Sequence, residues 1–438
     1  MAFNGDKMKN ESINFNLHTD TRRKILLKAP ILTRSGYGEQ SRFALRALRS
    51  KPELFDIHIL PIQWGSTSWV SEIDEEREFI DAAIQKYISY SSTHQPQYDY
   101  SLQVTIPNEW ESLAITNIGY TAGIETTVMA PEWAAPSESM NNIIVVSHHS
   151  KRVYETTEFM SRNPTTGEEK PFKISTPVTA VNYPVKNYEN IGPLDIELRT
   201  KYNFVCVAQF GPRKNLENTI RWFVEEFQND PDVGLLIKTN MAKNCSIDRE
   251  MCEGNLRKIL KPYDERKCTI NLLHGDMTDE EMHALYVHPQ VCAAISFTHG
   301  EGFGLPLFEA AYMGVPVVAT GWSGQLDFLV DEAGKEQFYN VAYDLNPVDP
   351  SVIWPGVIVE GSGWAYPRER SAKQALRKCL DDIKNNTAQI AATQYAAELR
   401  ERFNEEKMYE KFIEGMGIDM EEIDIEDWLD NLEVEEIE

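Results

Sequence analysis

The chain has 438 residues, 42% of them hydrophobic and 25% charged, with a formal net charge of −25. That length is more than one core serves and predicts two domains, while the acidic balance weighs against a protein that wraps a polyphosphate over a broad basic surface. No run approaches the ~20 apolar residues of a membrane span, and residues 1–22 carry no apolar core of signal type, so the expected location is the cytoplasm.

Along the chain, residues 24–27 read as a first strand, 41–50 as a helix with Phe43, Ala44, Ala47 and Leu48 on one side, 55–62 as a strand and 73–88 as a helix. Apolar runs of strand length follow at 102–106, 113–118 and 143–147. After a turn-rich segment, 182–193, a second series runs through 204–210, 233–239, 269–274, 291–298 and 316–320, and 371–412 is helical in pattern. Strands alternating with helices predict parallel sheets covered on both faces. The expected division is a first domain at 1–195, a second at 196–385, helices at 386–417 and a tail at 418–438. The tail holds eleven acids and no Lys or Arg, a composition that favours disorder over a short amphipathic helix.

Six cysteines without a C-x-x-C pair read as reduced, buried thiols. Arg42, Arg46 and Arg49 stand at i, i+4 and i+7; that face is expected to be solvated, with docking on an anionic membrane as the other reading.

The chemistry concentrates between the strand runs 291–297 and 315–319. Glu301 and Glu309 flank a glycine turn, Gly302-Phe303-Gly304-Leu305, and Pro306, where a helix begins that Gly314 closes. A helix N-terminus behind a glycine turn presents free N–H groups that suit a phosphate, and proline is tolerated in that first turn. The carboxylates cannot bind a phosphate; they are placed to accept hydroxyls on either side of it, a sugar at one end and a ribose at the other. Gly211-Pro212-Arg213-Lys214-Asn215 sets two cations at another helix start, suited to a diphosphate. Gly36 and Gly38 follow the first strand and let the backbone approach a ligand. Lys238 and Gly275 end later strands on the same side. Glu125 follows an apolar strand and is a cleft candidate, as an acceptor-hydroxyl contact or a base, with a structural glutamate at a helix N-terminus as the alternative. His148 and His149 are adjacent at a strand end, so they diverge and make no metal site; Ser147 is expected to cap the helix that follows.

The pair Glu301 and Glu309 resembles the E-x7-E signature of the retaining, nucleotide-sugar-dependent glycosyltransferases of family 4. The resemblance implies the GT-B fold: α/β, two facing Rossmann-like domains, with a C-terminal helix crossing back to the first domain. It implies that Glu301 grips the transferred sugar, that Glu309 holds the ribose, that Gly302, Phe303, Gly304 and Leu305 line the donor, and that Arg213 and Lys214 neutralise the leaving diphosphate. Many members carry a Gly-Arg pair where this chain has Ala208 and Gln209, which leaves Arg213 to supply that charge. The expected enzyme is metal-independent and without a cofactor; its co-substrate is a nucleoside-diphosphate sugar, and its acceptor is a glycan, a lipid-linked glycan or a modified DNA base. The same fold leaves open a nucleotide-sugar epimerase and a non-catalytic sugar-nucleotide-binding protein, the latter free to lose Lys214 or Glu301.

Overall fold

The computed structural model describes residues 21–93, 95–162, 165–188 and 191–418; apart from Ile418, the acidic tail lies outside the described residues. The first domain runs β1 (Arg23–Ala29), α1 (Gly36–Arg49), β2 (Phe55–Pro61), α2 (Glu75–Thr93), β3 (Tyr100–Val104), β4 (Thr116–Thr121), α3 (Ala134–Glu138), β5 (Asn142–Val145), α4 (His148–Thr156), a hairpin β6 (Phe159–Arg162) and β7 (Glu169–Phe172), and β8 (Val178–Ala180). Its sheet has the order β2-β1-β3-β4-β5-β8, all parallel.

The second domain runs β9 (Tyr202–Val207), α5 (Leu216–Phe227), β10 (Val233–Lys238), α6 (Ser246–Leu260), β11 (Thr269–Leu273), α7 (Asp279–Tyr286), β12 (Val291–Ser296), α8 (Leu305–Tyr312), β13 (Val317–Thr320), α9 (Leu326–Leu329) and β14 (Tyr339–Val341). Its sheet is also parallel, in the order β11-β10-β9-β12-β13-β14. A separate antiparallel pair follows, β15 (Tyr343–Pro347) with β16 (Gly363–Pro367), and then α10 (Glu369–Lys384), α11 (Thr387–Arg402) and α12 (Glu405–Gly415).

Both sheets are covered on both faces, which is why their strands are apolar without alternation: the neighbours Leu26 and Leu27 in β1, and Leu235 and Leu236 in β10, point to opposite faces and are all buried. The helix after β1 begins earlier than the periodicity predicts. Ser35 caps it by accepting from the Gly38 N–H at 3.0 Å, and a Cβ at Gly38 would lie 1.9 Å from the Thr33 carbonyl oxygen. The chain therefore folds back on itself where the glycines read as an open loop.

The expected helical stretch 371–412 is three helices, broken at Asn386, which is left-handed at φ 62, and at Asn404, whose side chain accepts from the Lys407 N–H. The first break lets α11 lie on α8; the second turns α12 onto α1, β5 and β8 of the first domain. There Phe412 packs edge-on to Phe43 and Tyr120, with ring centroids 5.3 and 5.0 Å apart. The basic face of α1 is paired within the first domain. Arg46 binds Glu76 and Glu39, Arg42 binds Glu39 and two backbone carbonyls, and Arg49 lies over the Phe79 ring. All three side chains are half-buried and engaged within the fold. The six cysteines are free thiols, and Cys245 is exposed.

Candidate functional site

Each sheet reverses its winding once, between β1 and β3 in the first domain and between β9 and β12 in the second. At such a reversal the loops leaving neighbouring strands diverge and open a crevice at the strands' C-terminal ends. In the second domain these are the loops after β9 and after β12, and they are tied together. The Asn215 amide donates to the Phe297 carbonyl at 2.9 Å, and the His299 N–H donates to the Arg213 carbonyl at 2.8 Å. Asn215 takes the left-handed conformation, φ 51, between the short turn Pro212–Lys214 and α5.

This frame brings all four catalytic candidates into one ion cluster. Lys214 Nζ lies 2.6 and 2.8 Å from the two oxygens of Glu301. Arg213 donates to Glu301 at 3.1 Å and to the Gly300 carbonyl at 2.7 Å, and it pairs with Glu125 of the first domain at 3.1 Å. Burial pushes the Glu301 carboxyl up, but Lys214 and then Arg213 outweigh it and hold it at about 2. Two cations and two carboxylates leave the cluster formally neutral. The two cations expected to await a diphosphate are therefore already paired, and a diphosphate would compete with Glu301 and Glu125 for them. No helix starts at Glu125, so the structural-cap alternative for it is excluded.

The loop of Ser323 and Gly324 holds Glu301 from behind: the Glu301 N–H donates to Ser323 Oγ at 2.9 Å, and the Gly324 N–H donates to the Glu301 carbonyl at 3.0 Å. The glycine turn meets the first domain directly. A Cβ on Gly300 would lie 2.3 Å from the Glu125 carbonyl oxygen, and one on Gly302 would lie 2.2 Å from that of Ala122. Gly304 is left-handed at φ 99 and precedes α8. Glycine is thus required at 300 and 302 by the approach of two backbones across the domain boundary. Phe303 is corrected from a donor-lining residue to a core residue: it is 3% exposed and packs against Tyr183, Phe308 and Phe328. Leu305 is half-buried at the start of α8.

Glu309 stands in the second turn of α8, half-buried. It borders a cavity of about 20 Å³ shared with Glu39, Arg46, Tyr183, Lys186 and Tyr312. Lys186, from the segment joining the domains, reaches Glu39 at 2.8 Å and Asp279 at 2.6 Å. Burial raises the Glu309 carboxyl to about 7 against the pull of Lys186, with Asp279 and Glu39 adding to the rise. Tyr286 lies against Glu309 and also borders a second cavity, of about 10 Å³, with Lys214 and Glu301. Nothing in the sequence marks Lys186, Tyr286 or Glu39; only the tertiary fold brings them to the glutamate.

A raised carboxyl destabilises the folded state once it ionises. Its stabilising contribution is complete below the ordinary value near 4.5 and is lost as pH rises through about 7. Glu309→Gln removes that loss. Relative to the parent, the variant is expected to gain about 1–3 kcal/mol between pH 5 and pH 8, measured by urea unfolding at both. An unchanged difference between the two proteins would show that Glu309 does not titrate in this range.

The remaining sequence candidates lie around the same crevice. Lys238 Nζ donates to the Gly275 carbonyl at 2.5 Å, and Gly275 is left-handed at φ 127. Opposite them Arg34 reaches across from the first domain, to the Met277 carbonyl at 3.3 Å and toward Asp276 at 3.9 Å. Gly36 faces open space, whereas Gly38 is closed by Thr33. Ser147 caps α4 as expected, and the two histidines diverge: His149 is buried, while the exposed His148 binds Asp327 of the second domain at 3.0 Å. Among the described residues, Asp248, Cys252 and His274 stand close enough to hold an ion. Asp248, however, already accepts from the N–H groups of Met241, Ala242 and Lys243 and pairs with His274 at 2.8 Å. That group ties down a loop.

Sequence reading also missed the arm formed by β15 and β16. Its Gly363 N–H donates to Thr127 Oγ1 at 2.8 Å, and its Gly356 carbonyl accepts from the Trp133 indole at 2.6 Å, both in the first domain. Ala365 exchanges hydrogen bonds with His299, two residues before Glu301. The arm therefore straps the Glu301 loop to the segment that carries Glu125. Its proline- and glycine-rich sequence gives no hint of these partners.

Two facing parallel-sheet domains, a cationic loop and a glutamate loop at the second sheet's reversal, and a last helix returning to the first domain define the GT-B fold. Within it, residues 196–337 match the family described as Glycosyl transferases group 1, a span that takes in β9 to β13. Over the whole chain the fold is similar to sucrose-phosphate synthase from Thermosynechococcus elongatus, at 12% identity and TM-score 0.58, covering 94% of this chain and 100% of that one. It is also similar to HepE from Anabaena in complex with UDP-glucose, at 11% identity and TM-score 0.52, covering 90% and 100%. A third likeness is to the lipopolysaccharide outer core galactosyltransferase WaaB, at 13% identity and TM-score 0.50, covering 90% and 98%. No curated protein sequence matches the chain. Among the described residues, no helix is long and apolar enough to cross a membrane.

Proposed function

We propose that this protein transfers a sugar from a nucleoside-diphosphate donor to an acceptor hydroxyl with retention, as a family-4-like enzyme of the cytoplasm. The observation that carries the reading is the convergence of Arg213, Lys214 and Glu301 at the reversal of the second sheet, inside the span that matches glycosyl transferases group 1. The UDP-glucose bound by the similar HepE structure supports a donor of that class.

In this mechanism the diphosphate displaces Glu301 from Lys214 and Arg213. The released carboxylate turns to the sugar hydroxyls, and the two cations stabilise the departing diphosphate as positive charge grows at the sugar. Glu309 takes the ribose. The cavities beside Glu301 and Glu309, of about 10 and 20 Å³, hold about one water each, whereas a small-molecule ligand needs several hundred Å³. The domains part, or the side chains between them move, before a donor enters.

The test is a screen of nucleotide-sugar hydrolysis across bases and sugars, run with and without excess EDTA. Turnover of at least one donor is expected, and it is expected to persist in EDTA because Arg213 and Lys214 supply the charge that a divalent ion would supply. No hydrolysis of any donor would remove the transferase reading. Hydrolysis lost on chelation and restored by a metal would remove the metal-independent mechanism.

A further inference from the structure

The segment between β2 and α2 carries two tryptophans beside the crevice that the mechanism does not use. Trp64 packs on Tyr37, the second residue of α1, with ring centroids 4.1 Å apart and a tilt of 31°. Trp69 is 52% exposed. The segment is pinned to the loop after β1: the Arg34 N–H donates to the Ser68 carbonyl and the Val70 N–H to the Leu32 carbonyl, both at 2.8 Å, and Trp69 bridges Thr33. Ser68 also reaches Asp276 of the second domain at 3.4 Å. The segment thus stands at the crevice mouth, on the first-domain side, held by backbone bonds that do not depend on its rings.

Charge around the rings decides what they suit. Glu72, Asp74, Glu75 and Glu78 are exposed just beyond Trp69. The neighbouring cations are engaged: Arg34 pairs with Glu72, and Arg77 pairs with Asp81. An acidic rim repels a nucleic-acid backbone and an anionic membrane alike. A neutral pyranose has no charge to repel, one face of C–H bonds to lay on a ring, and a rim of hydroxyls that carboxylates accept. The face of an aromatic ring is its negative side and attracts such C–H groups.

Building on the transferase reading, we infer that Trp69 is the stacking platform for an acceptor that is a neutral glycan. The experiment is binding of the full chain to a printed array of neutral glycans, with a single-stranded oligonucleotide and phosphatidylglycerol vesicles as the other probes. Neutral glycans are expected to bind and the other two probes not to. Trp69→Ala is expected to weaken glycan binding roughly three- to tenfold, the range of one aromatic contact, and Trp69→Phe to retain most of it. Binding by Trp69→Ala equal to the parent would overturn the platform, as would no glycan binding or binding of the oligonucleotide or vesicles in place of glycans. Donor hydrolysis by the parent protein separates this inference from its premise. Hydrolysis without glycan binding leaves the transferase and removes the platform; Trp69-dependent glycan binding without hydrolysis of any donor leaves the platform and removes the transferase.

Discussion

Lys214→Ala is expected to lower the rate of sugar transfer by about 10²–10³-fold, the usual cost of one preorganised contact to a charge that develops in the transition state. The side chain is one-fifth exposed, with its ammonium on both oxygens of Glu301, so the loss is electrostatic and leaves no large hole. It is not silent for stability. Lys214 is the main charge holding the Glu301 carboxyl at about 2, and its removal leaves Arg213 as that carboxylate's remaining cation.

The stability in question is present above the ordinary carboxylate range and lost as pH falls through about 2, so at neutral pH the variant is expected to be destabilised by about 1–3 kcal/mol. Pairing Lys214→Ala with Glu301→Gln is expected to restore part of that stability and none of the rate. Single-turnover kinetics and urea unfolding on the same preparations check both. Transfer by Lys214→Ala near the parent rate would remove Lys214 from the diphosphate.

The two glutamates are expected to separate. Glu309→Gln should weaken binding of both the intact donor and the free nucleoside diphosphate, since the ribose is common to both. Glu301→Gln should spare the free diphosphate, or tighten it, because Lys214 and Arg213 lose the carboxylate that occupies them in the closed crevice. Its cost should fall on the sugar-bearing donor and on the rate. A hydrogen bond to a charged group is worth ~1.5–3 kcal/mol, so the affected affinities should change by about tenfold or more, within reach of calorimetry. If both variants bound the free diphosphate like the parent, Glu309 would not hold the ribose. If Glu301→Gln alone lost it, the two roles would be exchanged.

The strand–helix alternation, the two domains and the loops that leave β9 and β12 were legible in the amino-acid sequence because each is written locally. Fully buried strands read as unbroken apolar runs, and glycine, proline and paired cations punctuate the turns between them. The same local signals misled where distant contacts decide. Gly302 read as part of the donor-lining turn, but the backbone of Ala122 is what forbids a side chain there. Phe303 read as donor-facing, but Tyr183 and Phe328 draw it into the core. The α1 arginines read as a free basic face, but Glu39 and Glu76 consume Arg46.

What only the tertiary structure decided are the pairings between residues far apart in the chain: Lys214 on Glu301, Arg213 between Glu301 and Glu125, and Lys186 between Glu39 and Asp279. Electrostatic energy depends on distance and burial, and neither is written in sequence spacing. The chain thus specified by itself which groups could do the chemistry, while the packing of two domains set their partners and charge states.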